Sequence, residues 1–369
     1  MELAIEKIVY PGKSLGHIKE KVVFCNEGLP KEIVDIKILN EKKNFIEAQT
    51  VSILEKSPFR IEPKCDHYKA CSCYQYIDYR AQIEIKEKQI KEMLKRGLGI
   101  ELNKTLVMPS PVIWGYRNNA RMQIVWENKT PHLAYHKPGS SDEFVKVKKC
   151  FLLSENVNNE LKKRLDDLKD KKLYDTNEIT VRENSCENIG NKKLFFGQGS
   201  FFQVNIAMLK ELVDDLKINL ELSGKETLAD IYCGVGTFGI ILSDSVKKVL
   251  AVESSVNNIS FLKQNIAENN KGNFSVYEGA GEYLIDSILS QNPDVIILDP
   301  PRKGLDAKIT KALNEKHSGL IIYISCDPAT LARDLKILLG RYKIGFIKCY
   351  DFFPHTPHIE TMCVLKPLI

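Results

Sequence analysis

Long hydrophobic runs are missing from this chain. No stretch of its 369 residues approaches the eighteen or so consecutive apolar residues that a membrane helix needs. The richest runs, DVIILD and GLIIYIS, are short and bounded like buried strands. The opening stretch MELAIEKIVYPGKSLG has acidic residues where a signal peptide needs a basic start followed by an apolar segment. We therefore expect no membrane anchor, no export and a cytoplasmic location.

The chain also lacks a strong charge of either sign, internal repeats and low-complexity segments. Its 53 basic and 48 acidic side chains leave a formal net charge of +5, which permits a polyanionic partner but does not require one. With 43% hydrophobic residues the chain can bury a large core, which excludes a disordered protein. Its length predicts two or three domains.

Cysteine is the residue type with an unusual distribution. In a reducing compartment, the ten cysteines are not expected to form a disulfide framework. Three of them, Cys65, Cys71 and Cys73, fall within the nine residues CDHYKACSC, which leaves a metal site or an accidental group of thiols. Scattered cysteines are more often small packing residues, so four others are assigned no role: Cys25, Cys186, Cys349 and Cys363.

Hydrophobic periodicity divides the chain into three parts. Residues 1–58 alternate short strands with Gly, Pro and Asn turns, which predicts a small antiparallel barrel. Residues 59–198 hold the cysteine cluster, an amphipathic helix at about 79–98 that could pack on the third part, and further strands. Residues 199–369 alternate strand and helix, which predicts a doubly wound α/β domain.

A glycine-rich turn in the third part predicts an adenosine cofactor. The segment DIYCGVGTFG, residues 230–239, follows an apolar strand, precedes a helix and matches the pattern G-x-G-x-x-G. Both NAD(P) and S-adenosylmethionine bind over such a turn, so the turn itself does not choose between them. Glu253 ends the next strand, where a carboxylate can accept hydrogen bonds from a ribose diol.

Segments at two later strand ends indicate the chemistry. LDPPRKGL, residues 298–305, resembles the D/N-P-P-x motif of class I methyltransferases, with Arg302 where amino-methylating members have an aromatic residue. This departure disfavours a nitrogen target. Methylation of carbon 5 of uracil needs a thiolate that adds to carbon 6 and a base that removes the carbon 5 proton. YISCDPATLARDL offers Cys326 as the nucleophile, and HTPHIETM offers Glu360 as the base.

Together, GVGTFG, DPPRKGL, SCDPATLARDL, FFQVN and HTPHIETM resemble the RNA uracil-5-methyltransferase family, and the resemblance covers nearly the whole chain. It implies an OB-like TRAM barrel at residues 1–58, a central RNA-binding α+β domain and a Rossmann-like catalytic domain. It gives Cys326 and Glu360 the catalytic roles above. The cofactor it implies is S-adenosylmethionine, bound by Gln203, Tyr232, Gly234, Gly236, Thr237, Glu253 and Asp299.

The resemblance also bears on RNA and adenine recognition. Arg117 and Arg121, in YRNNARM, fall where the family contacts its RNA. One contact departs from the family pattern, because EGAGEYL has Ala280 where members usually carry Asp or Asn near the adenine. We therefore expect no side-chain contact to adenine from this position.

Many members of the family hold a 4Fe-4S cluster through C-x5-C-x2-C and a distant fourth cysteine. Here Cys65, Cys71, Cys73 and Cys150 correspond to these ligands, but CSC shortens the last gap to one residue and no glycine eases the turn. Three interpretations remain: a cluster of altered geometry, which we favour, zinc bound by the same four thiolates, or a site that has been lost. Structural support is the more economical role, since methylation moves no electrons.

The expected function is methylation of carbon 5 of a specific uridine in 23S ribosomal RNA by a monomer that needs no protein partner. The thymine-loop uridine of tRNA is the alternative substrate within the family. A catalytically inactive RNA-binding iron-sulfur protein is an alternative from a different class. A DNA cytosine-5-methyltransferase is disfavoured, because those enzymes take their nucleophile from the D/N-P-P-x region, whereas Cys326 lies in the later SCDP motif.

Overall fold

The computed structural model describes residues 1–102, 106–317 and 319–368. Its strands form four sheets, of six, four, two and eight strands, with helices on both faces of the largest. This is the mixed α/β architecture predicted from the sequence. Among the described helices, none combines the length and the apolar character that crossing a membrane requires.

Six strands form the N-terminal sheet, in the order β1-β5-β6-β4-β3-β2. Their bounds are β1 Glu2–Ala4, β2 Lys7–Val9, β3 Lys13–Ile18, β4 Lys21–Cys25, β5 Ile33–Glu41 and β6 Phe45–Glu55. Alternate side chains of these strands, among them Leu3, Val23, Val34 and Ile46, form its core. The sheet curls so that β1 also approaches β3, which is compatible with the predicted barrel. The prediction of an antiparallel barrel is wrong for one pair, because β4 and β6 pair in parallel.

Two helices follow, α1 (Tyr68–Cys71) and α2 (Tyr79–Leu98). Asp78 caps α2 by accepting a hydrogen bond from the Arg80 amide at 3.0 Å. Gly99 ends the helix in the left-handed conformation, with a φ of 70°. The helix predicted at about 79–98 is therefore confirmed at both ends.

The next segment builds the smaller sheets. The four-stranded sheet has the order β10-β9-β8-β11, and a separate hairpin pairs β12 with β13. The elements of this region are β7 Val107–Met108, β8 Asn119–Glu127, β9 Thr130–His136, β10 Phe144–Lys146, α3 Glu155–Asp170, β11 Glu178–Arg182, β12 Cys186–Ile189 and β13 Lys192–Phe195.

The C-terminal part forms the eight-stranded sheet, in the order β16-β15-β14-β17-β18-β20-β19-β7. Its elements are α4 Ile206–Leu220, β14 Thr227–Ile231, α5 Thr237–Leu242, β15 Lys248–Glu253, α6 Val256–Glu268, β16 Phe274–Glu278, α7 Gly281–Leu289, β17 Val295–Leu298, α8 Ala307–Lys316, β18 Leu320–Ser325, α9 Pro328–Leu338, β19 Tyr342–Tyr350 and β20 Glu360–Pro367. The strands from β16 to β18 are parallel, and β20 lies antiparallel between β18 and β19.

Two features of this sheet position the site. The chain leaves β14 for β15 on one side and returns to β17 on the other, so the carboxyl end of β14 is the switch point where open α/β sheets bind ligands. The short strand β7 comes from the middle of the chain and pairs with the end of β19. The sequence analysis did not predict this pairing.

Helix α2 connects the middle of the chain to the part that contains the eight-stranded sheet. It packs on α9, and its Lys86 is buried against Asp351, with Nζ 2.6 Å from Oδ1. The same ammonium donates to the carbonyls of Phe353 and His358 at 3.2 and 3.0 Å. The Tyr79 hydroxyl donates to the other oxygen of Asp351 at 2.9 Å. The packing of this helix on the C-terminal part is therefore both apolar and ionic.

Candidate active site

The glycine-rich turn after β14 has the backbone conformation that the sequence predicts. Tyr232, Gly234 and Gly236 have positive φ values of 67°, 58° and 88°. A Cβ atom on Gly236 would lie 2.5 Å from Cδ1 of Leu262, so this glycine allows α6 to pack closely on the turn. A Cβ atom on Gly234 would meet nothing within 4 Å, so the turn is open on that side.

A small cavity lies over this turn. Five of the predicted cofactor residues line it: Gln203, Tyr232, Gly234, Thr237 and Asp299. Aromatic and apolar side chains complete the lining: Phe201, Phe202, Cys233, Val235 and Phe238. The cavity, its polar wall groups and the open space beside Gly234 fit a ligand with an apolar body and a few polar groups, such as an adenosine-containing cofactor.

Glu253 lies at the end of β15, beside the turn. Its Oε2 accepts a hydrogen bond from the Gly234 amide at 2.9 Å, and its Oε1 accepts from the Ser254 and Ser255 amides at 2.8 and 2.7 Å. Three backbone donors therefore fix the carboxylate next to the cavity. This is the position that the sequence predicts for an acceptor of ribose hydroxyls.

Two carboxyls, the buried Asp230 and the half-buried Asp299, lie at the centre of the switch point. Asp230, in β14, accepts a hydrogen bond from the Gly239 amide at 2.8 Å, and Asp299 follows β17. Burial raises the pKa of Asp230 to about 7, and burial together with the nearby Asp230 raises the pKa of Asp299 to about 7. Near neutral pH this pair therefore holds a proton in part of the molecules.

Cys326 and Glu360 lie next to each other at the same edge. The register pairs Ser325 of β18 with Thr361 of β20, so the residue that follows β18 stands beside the residue that begins β20. Burial, Glu360 and Asp299 raise the pKa of the Cys326 thiol to about 12, against the opposing effect of Arg302. The two residues predicted as nucleophile and base are thus brought together.

The Glu360 carboxyl is buried and poorly solvated. Only 3% of the residue is exposed, and its Oε1 has no hydrogen-bond partner among the described residues. Burial, followed by the charge of Asp299, raises its pKa well above the usual value. A carboxyl in this environment is a strong base once it is ionised.

Three neighbours of this edge were not predicted as functional residues. Arg302 is the cation that favours the charged forms of Cys326 and Glu360. Asp327 caps α9 by accepting from the Ala329 and Thr330 amides at 2.9 and 3.0 Å. The Tyr10 hydroxyl, from the N-terminal sheet, donates to Asp327 at 3.1 Å. The D-P of the SCDP motif is a capping signal that a sequence can reveal, but the contact from Tyr10 has no sequence signal.

The two histidines that flank the predicted base are neutral. Burial, followed by nearby Lys86, lowers the pKa of His355 to about 3, and its ring stacks on Trp114 with centroids 3.7 Å apart. Burial, followed by Arg302, lowers the pKa of His358 to about 4. Neither ring is therefore a proton donor at neutral pH.

The two predicted RNA-binding arginines have different surroundings. Arg121 lies on the exposed side of β8, and its Nε is 2.6 Å from the Glu178 carboxylate. Arg117 is half-buried; its Nε has no hydrogen-bond partner among the described residues, and its neighbours include Tyr116, Tyr135 and Cys150. Arg121 is therefore the more exposed of the two.

The structure gathers some of the predicted metal ligands and one residue that was not predicted. The ligand atoms of His67, Cys71 and Cys150 all lie within 4.8 Å of one another. Cys65 lies beside them, with Sγ accepting from Nε2 of Gln75 at 3.4 Å. Cys73 is not in this group, because it packs against the apolar cluster of Tyr74 and Ile77. The structure therefore brings His67, Cys71 and Cys150 together, and the four-cysteine site that includes Cys73 stays a prediction.

Comparisons with known proteins point to one family. The model of the family tRNA (Uracil-5-)-methyltransferase matches residues 181–293 and 285–367. An uncharacterized RNA methyltransferase of Clostridium acetobutylicum is 30% identical, over 99% of this chain and 96% of the relative. One of Bacillus cereus is 28% identical, again over 99% and 96%. A structure of the tRNA (uracil-54, C5)-methyltransferase of Pyrococcus abyssi, in complex with S-adenosyl-L-homocysteine, matches with a TM-score of 0.78 and 24% identity, over 99% of this chain and 100% of that one.

Proposed function

The chain belongs to the tRNA (uracil-5-)-methyltransferase family, a family of RNA methyltransferases, and from this premise we propose how it acts and on which RNA. We propose that it transfers a methyl group from S-adenosylmethionine to carbon 5 of a uridine, with Cys326 as nucleophile and Glu360 as base. The observation that supports this proposal best is the register of β18 and β20, which places these two residues side by side at the cofactor edge.

In the proposed mechanism the uridine is flipped out of its stack into the site. The Cys326 thiolate adds to carbon 6, which makes carbon 5 nucleophilic, and carbon 5 takes the methyl group. The Glu360 carboxylate then removes the proton from carbon 5, and elimination frees the thiolate. When bound, S-adenosylmethionine supplies the electrophilic methyl group and a positive charge, which favours the ionised forms of nearby thiols and carboxyls. Gln203, Thr237, Glu253 and the glycine turn would hold it.

The first experiment separates the two catalytic roles. Cys326→Ala should abolish both 5-methyluridine formation and the denaturation-stable adduct between protein and RNA. Glu360→Gln keeps the nucleophile, so the adduct should accumulate while turnover falls by at least about 100-fold, as expected for the loss of a general base. Cys186→Ala removes a half-buried cysteine of β12 and should leave both unchanged. Normal methylation by Cys326→Ala would refute the mechanism.

For the substrate we propose a uridine of 23S ribosomal RNA. The support is the sequence resemblance to the family members that combine an N-terminal TRAM barrel with a cysteine site. The experiment offers transcripts of 23S rRNA domains and of tRNAs to the protein with tritiated S-adenosylmethionine, and maps 5-methyluridine in cellular RNA with and without the gene. Label in a 23S rRNA domain is expected. Label confined to the thymine loop of tRNA would contradict the proposal, and no label in any RNA would contradict methyl transfer itself.

A further inference from the structure

We propose that His67, Cys71 and Cys150, completed by Cys65, bind a single Zn²⁺ ion, and that Cys73 is not a ligand. The site lies in the central part of the chain, where α1 contacts β9. Its ligand atoms already approach each other: those of His67, Cys71 and Cys150 all lie within 4.8 Å. In a tetrahedral zinc site, ligand atoms at normal bond lengths stand about 3.5–3.8 Å apart, so small side-chain shifts are sufficient.

The imidazole of His67 is placed as a ligand. The residue is 4% exposed, and its Nε2 is buried with no hydrogen-bond partner among the described residues. Its Nδ1 lies 3.5 Å from the Asp66 carboxylate. A histidine that binds metal usually donates its other ring N–H to a carboxylate or carbonyl, which fixes the tautomer. Asp66 supplies this partner, and Nε2 is left for the ion.

Cys150 is held in place by its surroundings. Its amide donates to Oδ1 of Asn158 at 3.0 Å, and Nδ2 of the same asparagine donates to the Cys150 carbonyl at 3.0 Å. The Tyr135 hydroxyl donates to its sulfur at 3.8 Å. The thiol is 2% exposed. A buried turn that is fixed from both sides and supported by a neighbouring hydroxyl is typical of a structural ligand.

Charge also favours an ion at this place. Three thiolates and one Zn²⁺ carry a net charge of −1, and the half-buried Arg117, whose charge interacts with Cys150, can balance it. Arg117 would then support the metal site and would not contact RNA.

A single ion suits this ligand set better than an iron-sulfur cubane. The four cysteines of a cubane bind different irons at its corners, so their sulfurs stand further apart than ligands that share one ion. Here the one-residue gap turns Cys73 away from the group and into an apolar cluster, and the histidine lies where a thiolate would be needed. Cys₃His is a common set for structural zinc.

The experiment measures metal in the full-length protein, purified both aerobically and anaerobically. Elemental analysis should find about one zinc per chain and no iron, and His67→Ala and Cys150→Ser should each reduce the zinc at least about tenfold. Cys73→Ser, the matched control two residues after Cys71, should retain the zinc. Stoichiometric iron with sulfide and a visible absorption that Cys73→Ser abolishes would overturn the proposal, as would zinc loss in Cys73→Ser.

A second measurement identifies the ligands from the spectrum of the folded, metal-bound protein. With Co²⁺ in place of zinc, the wild type should give a tetrahedral spectrum of three thiolates and one imidazole, and His67→Cys should give the four-thiolate spectrum. Identical spectra would show that His67 is not a ligand. Neither result depends on methyl transfer, so the metal site and the proposed function succeed or fail separately.

Discussion

Cys326, Asp299 and Glu360 oppose one another's ionisation at the catalytic edge. Burial raises the pKa of all three groups, and a negative charge on one of them raises the pKa of its neighbours further. A cationic ligand reverses this penalty, because one positive charge stabilises every anion around it. A bound cation therefore lowers the pKa of the Cys326 thiol, as Arg302 already does in part.

The free energy of unfolding should depend on pH through Asp299. Its pKa is raised in the folded state to about 7, so the folded protein holds a proton that the unfolded chain releases near pH 4. The stability from this proton is complete below about pH 4 and is lost as the pH rises through about 7. Asp299→Asn should remove this loss and gain stability relative to wild type between pH 5 and pH 8, by at most about 4 kcal/mol.

Urea unfolding at pH 5 and pH 8 measures this effect. The exposed Asp142 offers a matched control, since Asp142→Asn should keep the pH dependence of the wild type. If Asp299→Asn also kept it, the raised pKa of Asp299 would not be a property of the folded protein.

At the residue scale, the sequence predicts positions best where a residue ends a strand, and the roles of these residues stay predictions. Cys326, Glu360, Glu253 and Asp299 all follow or border apolar strands, and parallel strands bring their ends to one edge. Whether Cys73 is a ligand depends on the local backbone, which motif spacing alone does not define. Ser72, after the short helix α1, has a φ of −148° and a ψ of 60°, and Cys73 packs against the cluster of Tyr74 and Ile77.

At the scale of elements, one buried ion pair joins α2 to the C-terminal part of the chain. The side chains of Lys86 and Asp351 have no exposed surface, and two carbonyls complete the shell of the ammonium. Burial lowers the pKa of Lys86, against the effect of Asp351. Removing one member of such a pair leaves the other charged and buried, which costs more than the pair contributes when it is intact.

Lys86→Ala should therefore lower the free energy of unfolding by about 3–5 kcal/mol. Chemical denaturation measures it, with Lys91→Ala as the control on the more exposed face of the same helix, where a change of about 0.5 kcal/mol or less is expected. The double variant Lys86→Met with Asp351→Leu removes both charges and should recover much of the loss. A loss below 1 kcal/mol in Lys86→Ala would show that the pair is not needed to dock the helix.

Among the elements, α2 and β7 show what sequence patterns can predict. Helix α2 has an N-cap, an apolar stripe and a C-terminal glycine, so local signals define it. Strand β7 is two residues long, and its partner lies about 240 residues later in the chain, so no periodicity could predict it. Pairings of this kind follow from the finished fold and not from local propensity.

At the scale of the whole molecule, the N-terminal sheet contacts the catalytic part directly. Tyr10 reaches Asp327, the residue next to the proposed nucleophile, and Lys7 pairs with Glu92 of α2 at 2.9 Å. The sheet is thus fixed to both helix α2 and the turn after β18. The three parts of the chain meet around this turn, which periodicity alone did not indicate.

Tyr10→Phe should remove the hydrogen bond between these parts and keep the ring in place. The expected loss in the free energy of unfolding is about 1 kcal/mol, the usual net value of such a bond. Denaturant titration followed by fluorescence and by circular dichroism measures it, with Tyr174→Phe, at a residue that is 39% exposed, as the control. An unchanged midpoint in Tyr10→Phe would mean that the contact does not couple the two parts.

The edge of the eight-stranded sheet affects the solubility of the folded protein. A long, flat boundary strand invites pairing with another molecule and hence aggregation. Here β7 covers β19 at Cys349 and Tyr350, a bulge interrupts β19 between Ile344 and Phe346, and Lys343 and Lys348 place charge along the rest. A two-residue strand that contributes little to the core can therefore help to keep the folded protein from joining sheets with its own copies.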